Sequence, residues 1–191
     1  MSKFGLRKLG FGILLFGMAV CCYTASPVKA AETDVPIDNK TFPDATFLKY
    51  VGRFDKSGDG RLSESERNAV KEIVVNVDPF SSQTKITSLA GIEYFPNLTV
   101  LECESNSLAG LDVTKNKKLQ ELNCDKNNLQ SLDVSQNTEL IKLQCRYNQL
   151  PGLDVTENTN LQKLWIYENQ ISSIDLSKNT ELVSWHVETI R

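Results

Sequence analysis

The stretch LTVLECESNSLAGLDVTKNKK, residues 98–118, returns as LQELNCDKNNLQSLDVSQNTE at 119–139 and as LIKLQCRYNQLPGLDVTENTN at 140–160. A looser copy, LQKLWIYENQISSIDLSKNTE, fills 161–181, and a fifth begins at Leu182. The period is 21 residues. Leu98, Leu119, Leu140, Leu161 and Leu182 share one position; Leu101, Leu122, Leu143, Leu164 and Trp185 share the next. Cys103, Cys124, Cys145, Ile166 and Val187 follow, then Asn106, Asn127, Asn148 and Asn169. A short fixed period describes units that cannot bury their apolar side alone, so they stack into a solenoid.

Each unit is itself double. Leu108, Leu111, Val113 and Asn116 repeat the spacing of the first half, and return as Leu129, Leu132, Val134 and Asn137, then as Leu150, Leu153, Val155 and Asn158. Ile171, Ile174, Leu176 and Asn179 close the series. Apolar-polar-apolar alternation predicts a short extended segment on each side of the coil. The two asparagine columns are expected at the corners, where side-chain amides satisfy buried backbone groups. Cys103, Cys124 and Cys145 fall at one inward position and serve as small apolar filler. Neighbours about 4.8 Å apart on a line cannot surround zinc tetrahedrally, though one vertical disulfide stays open in an oxidising compartment.

The spacing LxxLxCxxNxL is the leucine-rich-repeat pattern. From Ile86 to Arg191 the chain resembles the short-repeat class of bacterial surface leucine-rich-repeat proteins, similar in style to internalins. The resemblance rests on cysteine in the third apolar slot and on LDVSxNT at the end of the unit. It implies an exported protein that binds other macromolecules or sugars. Proteins of this kind also carry an N-terminal segment like Phe42-Pro43-Asp44 through Gly91-Ile92-Glu93-Tyr94-Phe95. Ile86, Leu89 and Ile92 are expected to form a first, irregular half-coil, and Asp78 to Gln83 an insertion before it. Strands are hard to place among Ile73, Val74, Val75 and Val77.

Upstream, Asp55-Lys56-Ser57-Gly58-Asp59-Gly60-Arg61-Leu62-Ser63-Glu64-Ser65-Glu66 matches a twelve-residue EF-hand loop. Asp55, Ser57 and Asp59 offer side-chain oxygens, Arg61 a carbonyl, Ser63 a water-mediated contact and Glu66 both carboxylate oxygens. Gly60 supplies the sharp turn at the sixth position. The implied cofactor is Ca2+; the bland alternative is that these acids cap helices and solvate a turn. Phe47, Leu48, Val51 and Phe54 line one face of a helix leading into the loop, and Ser63 with Glu66 forms a capping box for a helix running on toward Val70 and Ile73. The fold class is therefore a β-rich leucine-rich-repeat solenoid with an N-terminal α-helical, EF-hand-like cap.

Residues 1–30 combine basic Lys3, Arg7 and Lys8, an apolar run from Phe11 to Tyr23, and Val28-Lys29-Ala30 before a cleavage point. This is the pattern of a secretion signal; an uncleaved anchor and lipid attachment at Cys21 or Cys22 are the rivals. The organisation expected is a signal over 1–30, a linker over 31–41, a helix-loop-helix cap over 42–75 and repeats over 76–191. The whole chain carries a net charge of −3. Losing Lys3, Arg7, Lys8 and Lys29 with no acid leaves 17 basic and 24 acidic side chains, a net charge of −7. That balance argues against nucleic acid and anionic membranes as partners.

The residues flanking each inward pair, such as Leu122 and Cys124, must face outward, Asp125 among them. They are acidic in the first coils and become basic and aromatic later, where Gln144, Arg146, Lys163, Trp165, Tyr167 and His186 have the composition of a contact surface for a protein or glycan. Stacked Asp112, Asp133, Asp154 and Asp175 repel one another unless Thr114, Ser135, Thr156 and Ser177 offset them by hydrogen bonds. Catalysis is not expected: His186 is the sole histidine and no nucleophile or metal-hydrolase motif occurs. The reading is a non-catalytic recognition or adhesion protein. The alternatives are a module that assembles edge to edge, including with its own copies, and a shortened relative of a longer protein.

Overall fold

The computed structural model describes residues 33–78 and 80–186; the expected signal over 1–30 lies outside them. Among the described residues, no helix is long and apolar enough to cross a membrane. In chain order the elements are β1 (Val35–Pro36), α1 (Ala45–Val51), β2 (Arg61–Leu62), α2 (Glu64–Ala69), β3 (Glu72–Val74), β4 (Val100–Glu102), β5 (Glu121–Asn123), β6 (Lys142–Gln144), β7 (Lys163–Trp165) and β8 (Ser184–His186). From β3 to β8 the strands form one parallel sheet in sequence order.

The register follows the repeat. Ile73, Leu101, Leu122, Leu143, Leu164 and Trp185 align in successive strands. Leu101, Leu143 and Leu164 are fully buried and Leu122 nearly so, while their strand neighbours lie part-exposed or exposed. Each strand has only three residues because every coil must turn twice within 21. Stability therefore comes from the shared interior: fully burying one leucine is worth about 1.5–3 kcal/mol. Cys103, Cys124 and Cys145 are buried, free thiols. Burial pushes all three well above the usual thiol range, and the Cys103 and Cys124 thiols donate to the Asn123 and Gln144 carbonyls of the next coil, 3.4 Å away.

Asparagines hold the corners as expected. The Asn127 amide donates to the Cys103, Cys124 and Asp125 carbonyls at 3.0, 3.1 and 3.1 Å and accepts the Leu108 N–H at 3.0 Å. Ile86 enters this pattern too. Its N–H donates to Asn106 and its carbonyl accepts from Ser107, the bonds that Leu108 makes with Asn127 and Asn128. The irregular half-coil is a real one.

The segment from Phe42 onward closes the first coil. Asp44 caps α1 through the Thr46 and Phe47 N–H groups, and its other oxygen accepts from Thr87. Phe47 and Val51 are fully buried, with Leu48 and Phe54 packed beside them. Edge-on ring contacts run from Phe47 through Phe42 to Tyr94, and from Tyr50 through Phe54 to Phe95. Gly91 has a φ of 101°, and a Cβ there would lie 2.2 Å from the Phe42 ring. Only glycine fits.

Three features depart from the sequence reading. The exit helix α2 stops at Ala69, because Val70 turns extended and Ile73 enters the sheet in β3. That strand, hard to place from its residues, pairs with β4, and the Tyr50 hydroxyl accepts its Val74 N–H at 3.0 Å. Within the segment read as a linker, Val35–Pro36 pairs antiparallel with Arg61–Leu62.

Candidate functional site

Two regions carry the candidate residues: the loop from Asp55 to Glu66, and the outward face of β6 to β8. In the loop, Gly58 and Gly60 both take positive φ, 74° and 77°. Asp55 accepts from the Gly58 N–H at 2.6 Å, the Gly60 N–H at 2.9 Å and the Ser57 hydroxyl at 3.1 Å. Asp59 accepts the Arg61 N–H at 2.9 Å. Arg61 donates its guanidinium to the Asp34 carbonyl. Glu66 spans the loop: one oxygen accepts from Lys56 and Ser57 N–H, the other from Ser63 N–H and hydroxyl. Burial opposes its ionisation, but the Ser63, Ser57 and Lys56 bonds outweigh it and hold the carboxyl down at about 2.

The donor set consists of oxygens alone and follows the twelve-position order, so its chemistry suits a hard cation. Its geometry is self-satisfied. Among the described residues, no three His, Cys, Asp or Glu side chains stand together in the arrangement a metal ion needs. An ion entering the loop would compete with backbone N–H groups for Asp55 and Glu66.

On the sheet face, Gln144, Trp165 and His186 lie side by side in register, with Lys163 two residues before Trp165. The side chain of His186 lies outside the described residues. Arg146 and Tyr167 stand just beyond the strands, joined by a hydrogen bond from the guanidinium to the Tyr167 hydroxyl at 3.1 Å. Arg146 is anchored. Its N–H and Nε donate to Asp125 at 2.6 and 2.7 Å, and a further guanidinium nitrogen meets the same carboxylate.

Asp125, expected outward, is wholly buried beneath Arg146. Burial pushes its carboxyl up against the opposing pull of Arg146. Asp125 and Arg146 are 21 residues apart, so the period alone placed them in adjacent coils.

Tyr147 was missed by sequence reasoning. It is 45% exposed, meets Tyr167 edge-on at 5.5 Å, and takes a left-handed φ of 54°. Ser105, Lys126 and Glu168 share that conformation in register, each just before a ladder asparagine. Nothing in a tyrosine signals it, since glycine or asparagine is the usual occupant. The cations nearer the cap are paired: Lys126 with Glu104 at 2.7 Å and Lys142 with Glu121 at 3.5 Å. Across the coil, Asp112, Asp133, Asp154 and Asp175 each accept from the Thr or Ser two residues on. These bonds hold the four carboxyls below their usual range, and so offset the stacking of like charges.

No family model and no curated protein matches the chain. Solved structures do. The functional domain of InlJ from Listeria monocytogenes, described as including a cysteine ladder, is similar over 81% of this chain, with 33% identity and a TM-score of 0.67. The internalin InlF from Listeria monocytogenes strain 4b F2365 is similar over 81% at 18% identity, with a TM-score of 0.59. The chain spans 33% of the first structure and 58% of the second. The chain shares with these internalin structures the leucine-rich-repeat β-solenoid fold.

Proposed function

We propose that this is an exported, non-catalytic recognition or adhesion protein that binds a protein or glycan on the outward face of β6 to β8, with Ca2+ stabilising the cap. The observation that carries the reading is the anchored set of Arg146, Tyr167 and Tyr147, with Trp165 two residues before Tyr167 on the same outward face. Aromatic and arginine side chains held in place lose little entropy on binding and dominate contact energies. Here Asp125 holds Arg146, and Arg146 holds Tyr167. Export rests on the basic, apolar and small-residue order of residues 1–30.

The test is capture on a glycan array and an extracellular protein panel with calcium present. The Trp165→Ala/Tyr167→Ala double variant should lose every protein and neutral-glycan ligand that the wild type captures while melting within a few degrees of it. Unchanged capture moves the site elsewhere.

For Ca2+, Asp55, Ser57, Asp59 and Glu66 would hold the ion through side-chain oxygens, Arg61 through its carbonyl and Ser63 through water. The ion would supply charge neutralisation and cross-link the loop. With three carboxylates, each already accepting hydrogen bonds, the expected affinity is about 10⁻⁴–10⁻³ M, that of extracellular modules. Calorimetry should give a calcium heat that Glu66→Ala abolishes; equal traces for both proteins would remove the site.

A further inference from the structure

Between α1 and the first coil lies a groove of about 760 Å³ that none of the residues discussed as sites enters. Its apolar lining comes from Val75, Val77 and Ile86, all nearly buried. Lys49 and Arg53 stand on one side, and Thr46, Gln83 and Thr84 add neutral hydrogen-bonding groups. No lining residue is acidic.

In a chain with excess acid, this lining carries two cations and no acid. Lys49 and Arg53 are four residues apart, where like charges on a helical face repel. Neither takes part in an ion pair among the described residues. The end of α1 favours Lys49, and the Arg53 guanidinium lies 4.2 Å from the centre of the Tyr50 ring. That contact orients the cation and leaves its charge uncompensated. The neighbouring acids are already engaged: Asp44 by Thr46, Phe47 and Thr87, and Glu102 by the Asn76 amide.

We propose that this groove is a binding site for an acidic saccharide. The apolar lining suits the C–H face of a pyranose ring, the neutral side chains its hydroxyls, and the two cations its carboxylate. The volume lies within the usual range of small-ligand sites, about 300–1,000 Å³. The site is independent of the sheet face.

Titration calorimetry of the full chain with trigalacturonate should give a Kd of about 1 mM or tighter that weakens with added salt, since exposed charges are screened beyond about 10 Å at 0.1 M. Lys49→Gln/Arg53→Gln should weaken binding at least tenfold at an unchanged melting temperature. Arg53→Lys should stay within about threefold of the wild type, because the charge is kept. The Trp165→Ala/Tyr167→Ala variant should bind as the wild type does, which separates this site from the sheet-face reading. Absence of a trigalacturonate heat overturns the proposal. So does equal binding of the matched neutral trisaccharide or of a hexaglutamate peptide, and so does wild-type affinity in the double glutamine variant.

Discussion

The two asparagine columns recur with the same period and look alike as sequence, yet they do different work. In the first, Asn127 uses both ends of its amide, donating to three carbonyls and accepting from Leu108. In the second, Asn137 donates to the Val113 and Asn116 carbonyls at 2.9 Å, and its oxygen is buried without a partner. The difference lies in the backbone. The first column follows a left-handed residue, whose turn leaves carbonyls and an N–H pointing inward. The second sits in a turn that already closes itself through Asn137 N–H to Val134 and Leu140 N–H to Asn137. Identical residues at identical spacing therefore report different local needs.

Substitutions can break that comparison. Asn127→Ala should cost the most, about 4 kcal/mol, since each buried group left unpaired costs about 1–3 kcal/mol. Asn137→Ala should cost only about 2 kcal/mol, because the lost bonds are partly offset by removing an orphaned oxygen. Denaturant melts of the pair decide it; equal losses would mean the columns are equivalent.

A smaller effect sharpens the contrast. Glu168 precedes the first column with a φ of 58°, whereas Glu157 precedes the second with no such strain. Glu168→Gly should stabilise by about 0.5 kcal/mol, the left-handed cost of roughly 1–2 kcal/mol exceeding the entropy that glycine adds. Glu157→Gly should destabilise by about 0.5–1 kcal/mol. Opposite signs in thermal melts are expected, and a shared sign would contradict the assignment.

A further effect belongs to the cap. Glu66 is held at about 2 against its ordinary 4.5, so its contribution is complete above pH 4.5 and lost as pH falls toward 2. Glu66→Gln should lessen the loss of stability across that window, the remainder belonging to the other hydrogen-bonded carboxylates such as Asp112 and Asp154. A wild-type curve already flat there would contradict the hydrogen-bond account.

What the sequence made legible follows the same division. Leu101, Leu122 and Leu143, the half-coil at Ile86, and the serines and threonines offsetting the aspartates were all readable, because repetition multiplies a weak signal. The strand at Ile73, the pairing of Val35–Pro36 and the turn conformation of Tyr147 were not. The first two depend on a contact made once, across a distance the local pattern does not encode; the third recurs at Ser105, Lys126 and Glu168, on residue types none of which favours a left-handed turn. Asp125 is instructive: its column faces outward, but the arginine one coil later covers it.

The central claim is that adjacent side chains along a strand divide between a shared interior and a free outer face. Thermal denaturation of Leu164→Ala and Trp165→Ala tests it most directly. Leu164→Ala should lose about 2–5 kcal/mol, and Trp165→Ala less than about 1 kcal/mol. Comparable losses at both positions, or a larger one at Trp165, would contradict the account.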